Sequence, residues 1–73
     1  MTEDPVRLLR SLFDAALAAR YASAELHAHR ALALQTLGRE DEALCDYDRA
    51  LALRPDFPSA LNNRANILRA RGA

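Results

Sequence analysis

The residues of this chain that could do chemistry are two histidines, one cysteine and several carboxylates. His27 and His29 stand two positions apart, so on a helix they point in different directions, which disfavours a shared metal ion. Glu25 lies four residues before His29, and this spacing favours a weak solvated pair over an acid–base dyad. We therefore expect no metal site at the histidines.

The cysteine and the aspartates give no better evidence for catalysis. Cys45 has Glu42 and Asp46 nearby, and neighbouring acids disfavour the thiolate that a nucleophilic cysteine needs. Asp46 and Asp48 face different ways on a helix, and no third group completes a catalytic constellation. The sequence has neither a glycine-rich phosphate loop nor an HExxH pattern. We expect a protein that is not an enzyme and needs no cofactor.

Three asparagines are the polar residues most typical of a binding surface. Asn62, Asn63 and Asn66 fall within one short segment. An amide side chain both donates and accepts hydrogen bonds, so it can bind a peptide backbone. The same spacing suits an exposed polar helix face without a binding role, and the sequence favours neither interpretation.

Composition limits the class of protein. The chain has 73 residues, ten basic and ten acidic side chains, a formal net charge of zero and 51% hydrophobic residues. Balanced charge argues against nucleic-acid binding, which needs a basic surface, and the apolar content argues against intrinsic disorder. No apolar run approaches the roughly 18 residues of a membrane span. A single cysteine excludes an intrachain disulfide, so we expect a protein of the reducing cytoplasm.

Apolar periodicity and boundary residues predict four helices, at residues 5–21, 24–37, 40–54 and 58–71. Pro5 and Pro58 suit first helical positions, and Ser23 can cap the second helix. Gly38 can end that helix in the left-handed conformation, and Pro55 ends the third. Because the connections are short, sequential helices should pack antiparallel.

The sequence also repeats itself at a spacing of 34 residues. FDAALAAR at 13–20 aligns with YDRALALR at 47–54, and RALALQTLG at 30–38 aligns with RANILRARG at 64–72. A fixed period of this size predicts a stacked array of helix hairpins.

The unit at residues 24–57 resembles a tetratricopeptide repeat. Seven positions match that family's pattern of small and large residues: Ala31, Leu34, Gly38, Ala43, Tyr47, Ala50 and Pro55. His27, Arg30 and Arg64 depart from it, because the family usually has large apolar residues there. The resemblance implies one all-α domain over residues 1–73, an α–α superhelix of antiparallel hairpins. Within it, 24–57 would be a complete repeat, 58–73 the first helix of a following repeat, and 1–23 an N-terminal helix resembling a capping or second helix.

The resemblance also implies a function. In this family the first helix of each hairpin lines a concave face that holds a partner peptide or helix. The implied positions are Glu25, Ala28, His29, Leu32, Gln35, Thr36, Ser59, Asn62, Asn63, Asn66, Arg69 and Ala70. The run from Ala60 to Asn66 also resembles repeats attached to O-linked N-acetylglucosamine transferases, in which asparagines grip a peptide backbone.

The face of the last helix that carries Ile67 and Arg71 would be covered by a further helix in a longer array, so we expect an uncovered edge there. The principal hypothesis is a protein-interaction module that binds a protein or peptide, not nucleic acid or a membrane. The first alternative is a scaffold element that forms a homo-oligomer, or joins a longer array, through this edge. The second is a regulatory fragment of a larger protein such as a glycosyltransferase.

Overall fold

A computed structural model describes residues 5–72, and three helices lie in that range. Helix α1 spans Pro5–Thr36, α2 spans Glu40–Leu53 and α3 spans Pro58–Ala70. The predicted all-helical architecture is confirmed. Residues 1–4 and 73 of the predicted domain lie outside the described residues.

The predicted boundary between the first two helices is wrong. The segments expected at 5–21 and 24–37 form one helix of 32 residues, about 48 Å long at 1.5 Å per residue. The stretch Tyr21 to Ala24 contains neither glycine nor proline. A serine inside a helix costs only about 0.5 kcal/mol relative to alanine. Each residue that stays helical also keeps a backbone hydrogen bond, so Ser23 continues the helix instead of capping a new one.

The other predicted turns are confirmed. Gly38 has a φ of +78°, in the left-handed region. The Arg39 N–H donates to the Leu34 carbonyl at 2.9 Å, which closes the end of α1 as in a Schellman motif. Pro55 follows α2, and Pro58 is the first residue of α3. Gly and Pro therefore end or start helices wherever they occur between residues 37 and 58.

Helix α2 runs antiparallel to the C-terminal half of α1. The Arg20 guanidinium donates to the Ala52 carbonyl at 3.3 Å. Further along α1, the His27 Nδ1 lies 3.4 Å from the Asp46 carboxylate. As the residue number rises on α1 it falls on α2, which defines the antiparallel order predicted from the short connection.

Helix α3 is antiparallel to α2 in turn. Arg64 Nε lies 2.7 Å from Asp48 Oδ1, and Arg71 Nη1 lies 2.8 Å from Asp41 Oδ1. Because α1 and α3 both run against α2, they run in the same direction. Two equivalent helices in the same direction are what a stacked hairpin repeat requires.

The core is built mainly from alanines around Tyr47, which is fully buried. Its other buried apolar members are Ala24, Ala28, Ala31, Leu34, Ala43, Ala50, Phe57, Ala60 and Ile67. Small side chains let the helices approach closely, and the tyrosine ring fills the space that remains between them. Among the described residues, no side chain before Ala24 is buried.

The N-terminal half of α1 extends beyond this core. The molecule measures 61 × 19 × 14 Å, and the long dimension follows α1. Large apolar side chains on this half are exposed, namely Val6, Leu8, Leu9, Leu12 and Phe13. Across residues 5–72, no helix combines the length and the apolar character that crossing a bilayer requires.

The uncovered edge predicted at Ile67 is wrong. Ile67 is only 2% exposed and belongs to the core cluster. It stands seven residues after Ala60, two helical turns along the same face of α3, and both belong to that cluster. Arg71 pairs with Asp41 on α2. The largest uncovered apolar surface lies at the opposite end of the chain, on α1.

Candidate partner-binding groove

A groove of about 420 Å³ lies between α1 and the start of α3. Its residues from α1 recur at spacings of three and four, which places them on one face of the helix. The other wall comes from the loop after α2 and the first turns of α3. The lining residues are Glu25, Ala28, His29, Leu32, Phe57, Ser59 and Asn63.

Six of these residues are among those that the family resemblance implies for a concave face. Phe57 is the lining residue that sequence reasoning missed. A signal for it was present, because a residue before proline is held extended, and Phe57 has φ −96° and ψ 93° immediately before Pro58. An aromatic residue held extended at a helix start is well placed to form a wall.

The remaining implied residues do not line this groove. They are Gln35, Thr36, Asn62, Asn66, Arg69 and Ala70. The Thr36 hydroxyl donates to the Leu32 carbonyl at 2.9 Å within its own helix. The Arg69 guanidinium donates to the side-chain oxygen of Asn66. The three asparagines are therefore divided, and Asn63 alone of them lines the groove.

The Tyr47 hydroxyl group links the two helices that form the walls of the groove. It donates to Gln35 Oε1 on α1 at 3.0 Å and also hydrogen bonds with the Asn63 side chain on α3. Burial raises the pKa of the Tyr47 phenol above its usual value, and the Asn63 hydrogen bond opposes that rise. The phenol is neutral at physiological pH and holds α1, α2 and α3 together at one point.

Phe57 is held in place by Arg54. The guanidinium carbon of Arg54 lies 4.6 Å from the centre of the Phe57 ring and 5.3 Å from the centre of the Tyr21 ring. A guanidinium between two aromatic faces makes cation–π contacts with both. Arg54 therefore fastens the α2–α3 loop to α1, which fixes one wall of the groove.

A second polar centre surrounds Asp46, which is 2% exposed. Its carboxylate lies 3.4 Å from His27 Nδ1, 3.1 Å from Arg30 Nε and 3.8 Å from Arg49 Nη1. His27 and Arg30 are two of the three residues that depart from the family pattern, and here they lie beside a carboxylate instead of packing against apolar side chains. None of these four residues lines the groove, so we assign the cluster to helix packing.

The electrostatics of the groove suit a neutral segment. Its lining includes one carboxylate, Glu25, and one imidazole, His29, but no lysine or arginine. Ser59 and Asn63 supply hydrogen-bonding groups, and Leu32 and Phe57 supply apolar surface. Among residues 5–72, no group of three or more metal-ligating side chains is placed to hold a metal ion.

Comparison with known proteins places this architecture in a family. A family model for the TPR repeat, the tetratricopeptide repeat, matches residues 36–72, just over half of the chain. That range contains all of α2 and α3 and the turn before them. The comparisons found no match among curated proteins or solved structures. The match agrees with the 34-residue period and the antiparallel hairpins, and the chain belongs to the tetratricopeptide-repeat family.

Proposed function

We propose that this protein is a non-catalytic interaction module whose groove between α1 and α3 holds a segment of a partner protein. Tetratricopeptide repeats generally mediate protein interactions, which supports the class of function. The observation that carries the proposal is the groove itself. Two helices running in the same direction present one continuous lining, with residues from both repeats on it.

The chemistry of the lining specifies the partner segment further. The volume of about 420 Å³ lies in the range of small ligand pockets and accommodates a few side chains, not a folded domain. Leu32 and Phe57 favour an apolar side chain. Ser59 and Asn63 can hydrogen bond with the backbone beside it. A short, uncharged segment with one apolar anchor fits these groups.

Selection from a random peptide library on the immobilised protein tests this proposal, followed by fluorescence anisotropy on the enriched peptides. Leu32→Ala should weaken binding about tenfold or more, the effect of losing roughly 1.4 kcal/mol of contact. Leu61→Ala is the matched control. It is the same substitution at nearly the same exposure, 49% against 50%, at a position outside the groove lining.

A polar test uses Ser59→Ala, because Asn63 also supports Tyr47 and its loss would affect stability as well as binding. Ser59 is exposed, so the variant should keep its unfolding midpoint and bind a few-fold more weakly. The proposal fails if no peptide is enriched, or if Leu61→Ala weakens binding as much as Leu32→Ala does.

The cellular setting is part of the same proposal. Cys45 is the only cysteine and is exposed as a free thiol. A free surface thiol persists in a reducing compartment. We propose a cytoplasmic protein, and fractionation of the native host with an antibody to this chain would test it.

A further inference from the structure

Two apolar faces of the single chain remain uncovered. The N-terminal face lies on the first half of α1 and consists of exposed side chains, namely Leu9, Leu12, Phe13 and Ala16. The α3 face is smaller and consists of exposed and half-buried side chains, namely Leu61, Ala65 and Leu68. It points about a third of a turn away from Ala60 and Ile67, which are buried. Each set is confined to about 100° of its helix. Contiguous apolar surface of this kind marks an interaction site more often than an isolated leucine does.

The internal repeat relates these two faces to a contact that the structure contains. The counterparts of the N-terminal face, 34 positions later, are the four buried residues of α2, namely Ala43, Asp46, Tyr47 and Ala50. The counterparts of the α3 face, 34 positions earlier, are on α1, namely His27, Ala31 and Leu34. Ala31 and Leu34 belong to the same buried cluster as the apolar α2 counterparts, and His27 lies beside Asp46. The antiparallel α1–α2 contact, which is more extensive than the α2–α3 contact, is therefore a template for packing the α3 face on an N-terminal face.

A polar pair in the template becomes an apolar pair on the uncovered faces. His27 Nδ1 lies 3.4 Å from the Asp46 carboxylate across the α1–α2 contact. The residue 34 positions after His27 is Leu61, and the residue 34 positions before Asp46 is Leu12. Leu61 is 49% exposed and Leu12 is 60% exposed. Both members of the pair have changed from polar to apolar, as two residues in contact require.

A hydrogen-bonded pair in the template changes in the same way. The Tyr47 hydroxyl donates to Gln35 Oε1 at 3.0 Å. The corresponding residues on the uncovered faces are Phe13 and Arg69. Phenylalanine has no hydroxyl and needs no acceptor, and a guanidinium can lie over its ring in a cation–π contact. Phe13 is 66% exposed and Arg69 is also exposed, so both are accessible to another molecule.

We propose that copies of this chain associate head to tail, with the α3 face of one copy packed antiparallel on the N-terminal face of the next. In the register of the template, Leu61 lies beside Leu12 of the next copy. Pro58, one turn before Leu61, then meets Ala16, one turn after Leu12. The surface of α1 has a hollow of about 130 Å³ at that point, lined by Phe13, Ala16, Leu17 and Arg20. The exposed ring of Pro58 is small enough to enter it.

The contact joins two different surfaces, and each copy carries one of each. Association through such a heterologous contact continues from copy to copy until it closes into a ring or grows into a filament. The straight α1 helix leaves room for this arrangement. Its N-terminal half projects beyond the core of its own chain, so it can lie on α3 of another copy while its C-terminal half carries α2 and α3 past the end of that helix.

The groove stays open in this assembly. None of the residues of the two faces lines it, and each groove is formed within one copy. Leu61→Ala therefore remains a control for peptide binding, because Leu61 contacts another copy and not the groove. Self-association and peptide binding are separate properties, and either can fail without the other.

Sedimentation velocity on the full chain at increasing micromolar concentrations tests the association. The mass of the wild type should rise above the chain mass of 8.1 kDa. Leu12→Glu and Leu61→Glu should each raise the dissociation constant about 100-fold, because each places a carboxylate in an apolar contact. Leu8→Glu is the matched control. Leu8 has the same 49% exposure as Leu61, and its counterpart 34 positions later is the exposed Glu42, so association should be unchanged.

Mixing the two variants identifies the contact as heterologous. The Leu12→Glu chain keeps its α3 face, and the Leu61→Glu chain keeps its N-terminal face. Each should be monomeric alone, yet an equimolar mixture should form pairs with one chain of each kind. Growth should stop there, because the next contact would bring two glutamates together. The proposal is wrong if the wild type stays monomeric, if either variant associates as the wild type does, or if the mixture remains monomeric.

Cross-linking tests the register and the identity of the occupant. A chain carrying Leu12→Cys and Leu61→Cys in a Cys45→Ser background is treated with a short bis-maleimide. It should give a ladder of covalent multimers. Asp14→Cys in place of Leu12→Cys is the control, because position 14 is on the opposite side of α1, and it should give far fewer. A cross-link confined to single chains would mean that α1 folds back on its own α3, which overturns the proposal, as does the absence of any cross-link.

Discussion

Replacing Tyr47 with phenylalanine removes one oxygen from the point at which the three helices meet. The ring remains, so no cavity opens in a core that otherwise consists mostly of alanine. The loss is the hydrogen bond to Gln35 at 3.0 Å and the one with Asn63. Gln35 and Asn63 are half-buried, so water can replace part of what they lose. We expect Tyr47→Phe to lower the free energy of unfolding at pH 7 by about 1–1.5 kcal/mol.

The same substitution should change how stability depends on pH. Burial raises the pKa of the Tyr47 phenol in the folded protein above that in the unfolded chain, which is about 10. A group whose folded pKa is raised gives its full stabilisation below the unfolded pKa and loses it as the pH rises towards the folded pKa. Wild-type stability should therefore fall above pH 10, at a limiting slope of about 1.4 kcal/mol per pH unit.

The chain has no lysine, so few other groups titrate in this range. Urea unfolding followed by circular dichroism, at a fixed protein concentration and at several pH values from neutral upwards, measures the effect. The difference between wild type and Tyr47→Phe should shrink above pH 10. Tyr21→Phe, which removes the other phenol at a surface position, is the control and should keep the wild-type slope. Equal stability of the two proteins at neutral pH, or a pH-independent difference, would refute the role assigned to Tyr47.

Two further substitutions test other parts of the fold. Asp46→Asn removes a carboxylate charge that lies beside one histidine and two arginines. It should lower the free energy of unfolding by about 1–2 kcal/mol, because those partners keep access to water. An unchanged urea midpoint would contradict a stabilising role for these contacts. Gly38→Ala adds a Cβ that meets nothing within 4 Å, so the cost should be the left-handed backbone alone, about 1–2 kcal/mol in urea unfolding. A cost near zero there would mean that the turn is not held in that conformation.

The sequence predicted the parts of the fold that local chemistry decides. Gly38 and Pro55 end helices because of their own backbone restrictions, and those boundaries appear where expected. Ser23 was a weaker signal, because a serine can cap a helix or continue one. Which of the two occurs depends on whether the N-terminal half of α1 gains contacts by folding back. The free energy of those contacts cannot be predicted from the residue types at positions 21–24 alone.

Part of the groove was predicted from the family resemblance. It implied Ala28, Leu32 and Asn63, which do line one cavity. The fault in the prediction was to treat every polar residue on the first helices as available. Gln35 is engaged by Tyr47, and this depends on the distance between helices, which the sequence does not encode locally.

The prediction of an uncovered edge at Ile67 was wrong because we assumed that the repeat array is unfinished on that side of its C-terminal end. The sequence pattern alone places Ile67 two turns from Ala60, and both are buried in the core cluster. The incomplete packing is at the N-terminal half of α1, where FDAALAAR matches a segment that is packed in the next repeat. The repeat comparison, taken position by position, would have located it.

The proposed function requires that a partner segment binds between α1 and α3. Amide chemical shifts of isotopically labelled protein, recorded by NMR during titration with an enriched peptide, measure where it binds. We expect the largest changes at Ala28, Leu32 and Asn63 and small ones at Arg49 in the Asp46 cluster. Changes concentrated at Arg49, or spread evenly along α1 with none on α3, would contradict it.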